Sequence, residues 1–251
     1  MNYWYLLNYK EISSIMTIPS FGPDSLLYNL YLYKVKIDNN KWKFDYITND
    51  FIDFEISSEN FEIDCLFFLY DQKLDYQYSD HLIHRTNFLN TSPSYRANIS
   101  IKIDDLKTCY QGEYSSFMFD KKGSVLSFPL SCMNKEFDNY IILTNYVSEP
   151  IKKDFKVFLF DIKNNQIISE MNCKTNQSNF FKLDNSMIYE NCIIFSYDYL
   201  CAPQFLSFSS LEGTVSFEHT QPPHTYIWES NYISKLKYSY NKLIKENILI
   251  N

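Results

Sequence analysis

The stretch Lys156–Cys173, KVFLFDIKNNQIISEMNC, decides the fold class. Val157 and Leu159 share one parity and Phe158 and Phe160 the other, until Lys163-Asn164-Asn165 interrupts the run and Ile167 and Ile168 resume it. Side chains alternate across a strand, and Asn tolerates the left-handed backbone of a tight turn, so the stretch is two antiparallel strands joined as a hairpin.

The same pattern spreads outward in both directions. Tyr31, Tyr33, Val35 and Ile37 alternate before Asp38-Asn39-Asn40, and Trp42, Phe44 and Tyr46 return, giving a second hairpin within Leu26–Ile47. Phe51–Ile56, Asn98–Ile103, Asn139–Tyr146, Ser178–Leu183 and Cys192–Tyr197 read as further strands, and 117–130 as a hairpin about Asp120–Gly123. Phe61–Tyr70 begins amphipathic and becomes apolar on both sides, which predicts a strand passing into the interior. In Gln204–His224, two alternating runs flank Gly213 and the second exits through Glu218 and His219 into a loop stiffened by Pro222 and Pro223. Residues 1–25 read as one edge strand and a loop, and Asp71–Tyr95 as a long irregular loop. Beyond the two prolines the period changes: Ile233, Leu236, Tyr240, Leu243, Ile244 and Ile248 recur every three or four residues, which predicts an amphipathic helix over 227–249 docked on a sheet.

The expected fold is therefore all-β, an antiparallel two-sheet β-sandwich with one C-terminal helix. It forms either a single domain over 1–251 or two sandwich-like halves, 1–95 and 96–225, divided by a composition break near Thr86–Ala97. Turns recurring along the chain raise a small β-propeller as the alternative; the absence of a repeated motif and the presence of only 4 glycines weigh against it. Twenty-two tyrosines and 21 phenylalanines against two alanines tilt the chain toward strands for the same reason, since aromatics suit a pleated surface and Ala favours helix.

A net charge of −7 excludes the basic track that nucleic acid requires, and no apolar run is long enough to span a bilayer as a helix. The start of the chain, MNYWYLLNYKEISS, lacks the basic and small-residue signals of a secretory leader. The 6 cysteines show no CxxC spacing, so buried thiols in a reducing, cytoplasmic setting are expected. Lys far outnumbers Arg, and Asn, Ile and Tyr abound, a bias of AT-rich genomes that suggests a bacterial or phage source. Isolated glycines exclude a phosphate-binding loop, and no GxSxG elbow occurs.

Three constellations remain. His81, His84, His219 and His224 are the only imidazoles, and with Glu218 they form the one set from which a divalent metal site could be built, although no cofactor is required. Glu218, His219, His224 and Glu113, with Asp198 as a further carboxylate, have the residue types of acid–base catalysis. Arg85 and Arg96, the only arginines, flank one irregular loop with His84 and could bind an anion through paired hydrogen bonds, or pair with Asp80, Asp104 or Asp105. Strand parity sets a limit on the first two sets, because Glu218 and His219 are adjacent and point to opposite faces. The function expected from these features is binding: a glycan or other polar small molecule, or else a protein partner, held by loops of the sandwich, with no nucleic acid and no membrane involved. A metal-dependent or acid–base enzyme, hydrolase-like, built on Glu218, His219, His224 and Glu113, is the alternative.

Overall fold

The computed structural model describes residues 2–18, 30–51, 54–62, 65–83, 97–111, 120, 125–127, 134–161, 164, 166–187 and 192–219. Among these the chain is antiparallel β with short 3-10 turns and no α-helix. It divides into two compact units, one of Met1–Phe119, Tyr146–Lys152 and Asn176–Ser178, the other of Asp120–Asn145, Lys153–Thr175 and Asn179–Asn251. Each unit contains two sheets. The predicted helix over 227–249 lies outside the described residues.

The first unit holds β1 (Asn2–Tyr5), β2 (Ile12–Thr17), β3 (Tyr31–Asp38), β4 (Lys41–Thr48), β5 (Glu55–Ser57), β6 (Leu66–Tyr70), β7 (Tyr78–Ser79), β8 (Asn98–Ile103) and β9 (Leu106–Gln111). Its sheets run β1-β6-β3-β4-β7 and β5-β2-β8-β9. The turn between β3 and β4 places Asn39 and Asn40 at φ 50° and 59°, the two left-handed positions of a type I′ hairpin, with Asp38 paired to Lys41. β6 lies between β1 and β3 with Leu66, Phe67, Phe68 and Leu69 all buried, as its two-sided apolar sequence predicts. In β8, Ile99, Ile101 and Ile103 are fully buried while Lys102 is exposed.

The start of the chain differs from expectation. It forms two strands, of which β1 is an edge strand but β2 sits inside its sheet between β5 and β8. β2 and β8 pair across the composition break, Ile12 opposite Ile103 and Met16 opposite Ile99. The Trp4 indole donates to Met16 Sδ at 2.8 Å, joining β1 of one sheet to β2 of the other. Buried Ser14 is satisfied in the same layer: its hydroxyl donates to Leu7 O at 2.9 Å and its N–H to Ser58 Oγ at 2.9 Å.

The second unit holds β10 (Val125–Ser127), β11 (Asp138–Asn145), β12 (Asp154–Asp161), β13 (Gln166–Lys174), β14 (Gln177–Lys182), β15 (Cys192–Ser196), β16 (Cys201–Ser209) and β17 (Thr214–His219). The sheets run β10-β15-β12-β13 and β14-β11-β16-β17. Their facing sides interdigitate Val157, Leu159 and Ile194 from one with Ile141, Leu143 and Phe205 from the other, which is a sandwich core. The opposite side of the first of these sheets carries a second apolar cluster, Phe158, Phe160, Ile193 and Phe195. Gly213 closes the β16–β17 turn at φ 64°, a conformation that glycine adopts without strain. All four sheets interleave strands distant in sequence, whereas a propeller with one hairpin per blade needs neighbours, so the architecture is sandwich-like.

The I′ turn gives a direct test. Asn40→Gly relieves the left-handed cost at φ 59° and should raise stability by about 0.5–1 kcal/mol, whereas Asn40→Val should lower it by at least as much. Urea denaturation followed by Trp fluorescence measures both, and equal midpoints for the two variants would contradict the assigned turn.

Candidate functional site

Among the described residues, a concave site forms at one end of the second unit, where β15 leaves its sheet at Ser196 and β16 begins at Cys201. The connection is four residues long, Tyr197-Asp198-Tyr199-Leu200, too short to bury both tyrosines. Tyr197 and Tyr199 have the same parity, but the strand ends at Ser196 and the chain bends at 197–198, so the two rings reach different supports. Tyr197 stands edge-on to Phe195 at 4.7 Å and to Phe158 at 6.1 Å, and Tyr199 edge-on to Phe155 at 5.2 Å. Each ring is therefore fixed by its apolar side while its hydroxyl edge stays near solvent. Asp198, between them, is exposed.

Lys153 and Asp154 complete the lining from the start of β12. Their backbone is held in place by Thr175, whose hydroxyl accepts from Lys153 N at 2.9 Å and whose N–H donates to Lys153 O at 2.9 Å. The five residues surround a depression of about 360 Å³. Among the described residues, neither the carboxylates of Asp154 and Asp198 nor the Lys153 ammonium is engaged in a side-chain hydrogen bond or ion pair. Burial pushes the Tyr197 hydroxyl upward, so it remains a protonated donor at neutral pH. Two anionic acceptors, one cationic donor and two phenolic groups thus converge on one space without internal partners.

The residues singled out from sequence distribute differently. His81 is exposed in the first unit, where its N–H donates to Ser79 Oγ at 3.3 Å and its carbonyl accepts from Ser79 Oγ at 2.7 Å, so the turn uses its backbone. Neighbouring Asp80 pairs with Lys41 at 3.3 Å. Glu218 belongs to the second unit, exposed on β17 opposite Phe205, and the backbone of His219 pairs with Gln204. Asp104 and Asp105 form the β8–β9 turn, with Asp104 at φ 50°. His84, Arg85, Arg96, Glu113 and His224 lie outside the described residues, as does the side chain of His219. Among the described residues no three His, Cys, Asp or Glu side chains come together as metal ligands, and no helix is long and apolar enough to cross a membrane. Of the residues named from sequence, Asp198 alone lines the depression. Sequence reasoning missed Lys153, Asp154, Tyr197 and Tyr199, which look like the continuation of strands; the available signal was the brevity of the connection that holds Tyr-Asp-Tyr.

No protein-family model matches the chain, and neither a curated protein nor a solved structure matches it.

The described cysteines are free thiols; Cys65, Cys173, Cys192 and Cys201 are buried and Cys109 is exposed on β9. Burial pushes the Cys173 thiol up to about 12, and Cys201 well above the ordinary thiol range, so both stay protonated and unreactive at neutral pH. Brief alkylation of the native protein at pH 8 should modify Cys109 and spare Cys173, Cys192 and Cys201. Peptide mapping reads this directly, and rapid labelling of Cys173 would mean that the sandwich core opens.

Proposed function

We propose that the chain is a binding protein whose second unit takes a polyhydroxylated small molecule, a mono- or oligosaccharide, in the depression lined by Lys153, Asp154, Tyr197, Asp198 and Tyr199. The observation that carries this is the convergence of uncommitted polar groups with two tyrosine rings on one depression. Sugars present hydroxyls that donate to carboxylates and accept from an ammonium, together with C–H faces that pack on aromatic rings, and this site offers a partner for each. A volume near 360 Å³ is at the small end of ligand pockets and suits one or two sugar rings. The rings need little ordering on binding, because Phe155, Phe158 and Phe195 already hold them, which reduces the entropic cost of association.

Calorimetric titration of the purified protein with a panel of neutral mono- and oligosaccharides tests the proposal. Binding by at least one of them is expected, with Tyr197→Ala or Asp198→Asn weakening it ten-fold or more, on the order of 1.4 kcal/mol. Tyr197→Phe should cost less than Tyr197→Ala, since it keeps the ring face. Failure of every sugar to bind, or binding unchanged in both Tyr197→Ala and Asp198→Asn, would overturn it.

A further inference from the structure

The strand orders of the two units can be laid on one another. Taken in chain order, β1 to β6, β8 and β9 of the first unit correspond to β10 to β15, β16 and β17 of the second. With that correspondence the sheets coincide: β1-β6-β3-β4 becomes β10-β15-β12-β13, and β5-β2-β8-β9 becomes β14-β11-β16-β17. Only β7, at the edge beside β4, has no counterpart among the described residues. Hairpins alone do not produce this agreement, because strands adjacent in sequence pair readily in any antiparallel sheet. The pairings between distant strands agree as well. β6 inserts between β1 and β3 as β15 does between β10 and β12, and β2 lies between β5 and β8 as β11 does between β14 and β16.

The correspondence continues inside the strands. Phe68 stands opposite Tyr33 and Leu66 opposite Val35, while Phe195 stands opposite Phe158 and Ile193 opposite Phe160. In that register CLFFLYD, Cys65–Asp71, lies on CIIFSYD, Cys192–Asp198, and the two share cysteine, phenylalanine, tyrosine and aspartate. Burial runs identically along them: the first five residues are buried, the tyrosine is half-buried and the aspartate is exposed. In each, the phenylalanine ring supports the tyrosine two residues on, Phe68 with Tyr70 at 5.2 Å and Phe195 with Tyr197 at 4.7 Å, stacked in the first and edge-on in the second. Counting on from Tyr33 along one chain segment and from Phe158 along the other brings the sequence IDNNK, Ile37–Lys41, onto IKNNQ, Ile162–Gln166, so the paired asparagines coincide. A composition rich in Asn and Tyr produces isolated matches, but it does not order strands within sheets.

We propose that the chain is a tandem duplication of one eight-stranded, two-sheet fold, with β7 an addition to the first copy. The connections of the two copies differ most in length where CLFFLYD and CIIFSYD end. In the second copy Tyr197-Asp198-Tyr199-Leu200 leads directly to β16, and its first three residues line the depression. In the first the chain forms β7 on the way, and β8 begins only at Asn98. The depression therefore lies at the point where the copies part. Loops carried on a shared scaffold diverge more freely than its core strands, so a duplicated fold can develop a ligand site in one copy while the other keeps the same sheets.

A crystal structure of the full chain, with its two units superposed on each other, tests the duplication. The expected superposition matches all eight strands in chain order, sets Phe68 on Phe195 and Tyr70 on Tyr197, and leaves β7 unmatched. A best superposition that pairs the strands out of chain order would mean two folds alike in architecture alone and would overturn the proposal. So would one in which CLFFLYD and CIIFSYD are offset by a residue along the strand, since their shared side chains would then face opposite sides of their sheets.

Discussion

Central strands that are apolar on both faces impose the rest of this architecture. β6 and β15 bury nearly every side chain they carry, and β12 does so from Val157 onward, on either side of their sheets. Each such side chain contributes about 1.5–3 kcal/mol on leaving water, while each backbone amide must find a ladder partner. A strand of this kind is stable only when flanked by two others and covered above and below. That requirement produces four sheets arranged as two units, with short or charged strands such as β7 and β13 left for the edges, the latter carrying the exposed Glu170 and Lys174.

Local chemistry was legible in the sequence and long-range pairing was not. The β3–β4, β12–β13 and β16–β17 hairpins could be read because alternation and turn residues lie within a few positions of one another. Phe61–Tyr70 reads as a longer strand than β6, which begins at Leu66. β1 and β2 escaped separation because MNYWYLL is aromatic without alternating, and β9 escaped notice because Lys107, Thr108 and Cys109 give an edge strand a polar face. Nothing local announces that β2 pairs with β8, more than eighty residues later. The candidate site shares that difficulty: Asp154 and Asp198 meet only because β12 and β15 are neighbours in the sheet, Val157 opposite Ser196.

Asparagine does structural work here that glycine does in many proteins. Asn39, Asn40 and Asn176 all occupy left-handed backbone. Asn176 also accepts from Val147 N at 2.7 Å and donates to Glu149 O and Ile151 O, tying a loop of the first unit together through one amide. In the second unit Asn179 accepts from Lys174 N and donates to Leu143 O and Lys174 O. The abundance of asparagine has thus been put to use, because the primary amide combines a donor and an acceptor with tolerance of positive φ.

That choice of turn residue bears on how the protein ages. Asparagine followed by glycine is the sequence in which the backbone amide most readily attacks the side chain and expels ammonia, leaving aspartate or isoaspartate. None of the 4 glycines, at positions 22, 112, 123 and 213, follows an asparagine. The Asn39-Asn40 turn accepts a modest conformational cost and in return keeps a side chain ahead of the vulnerable peptide bond, so its hairpin is protected against slow chemical conversion over the lifetime of the molecule.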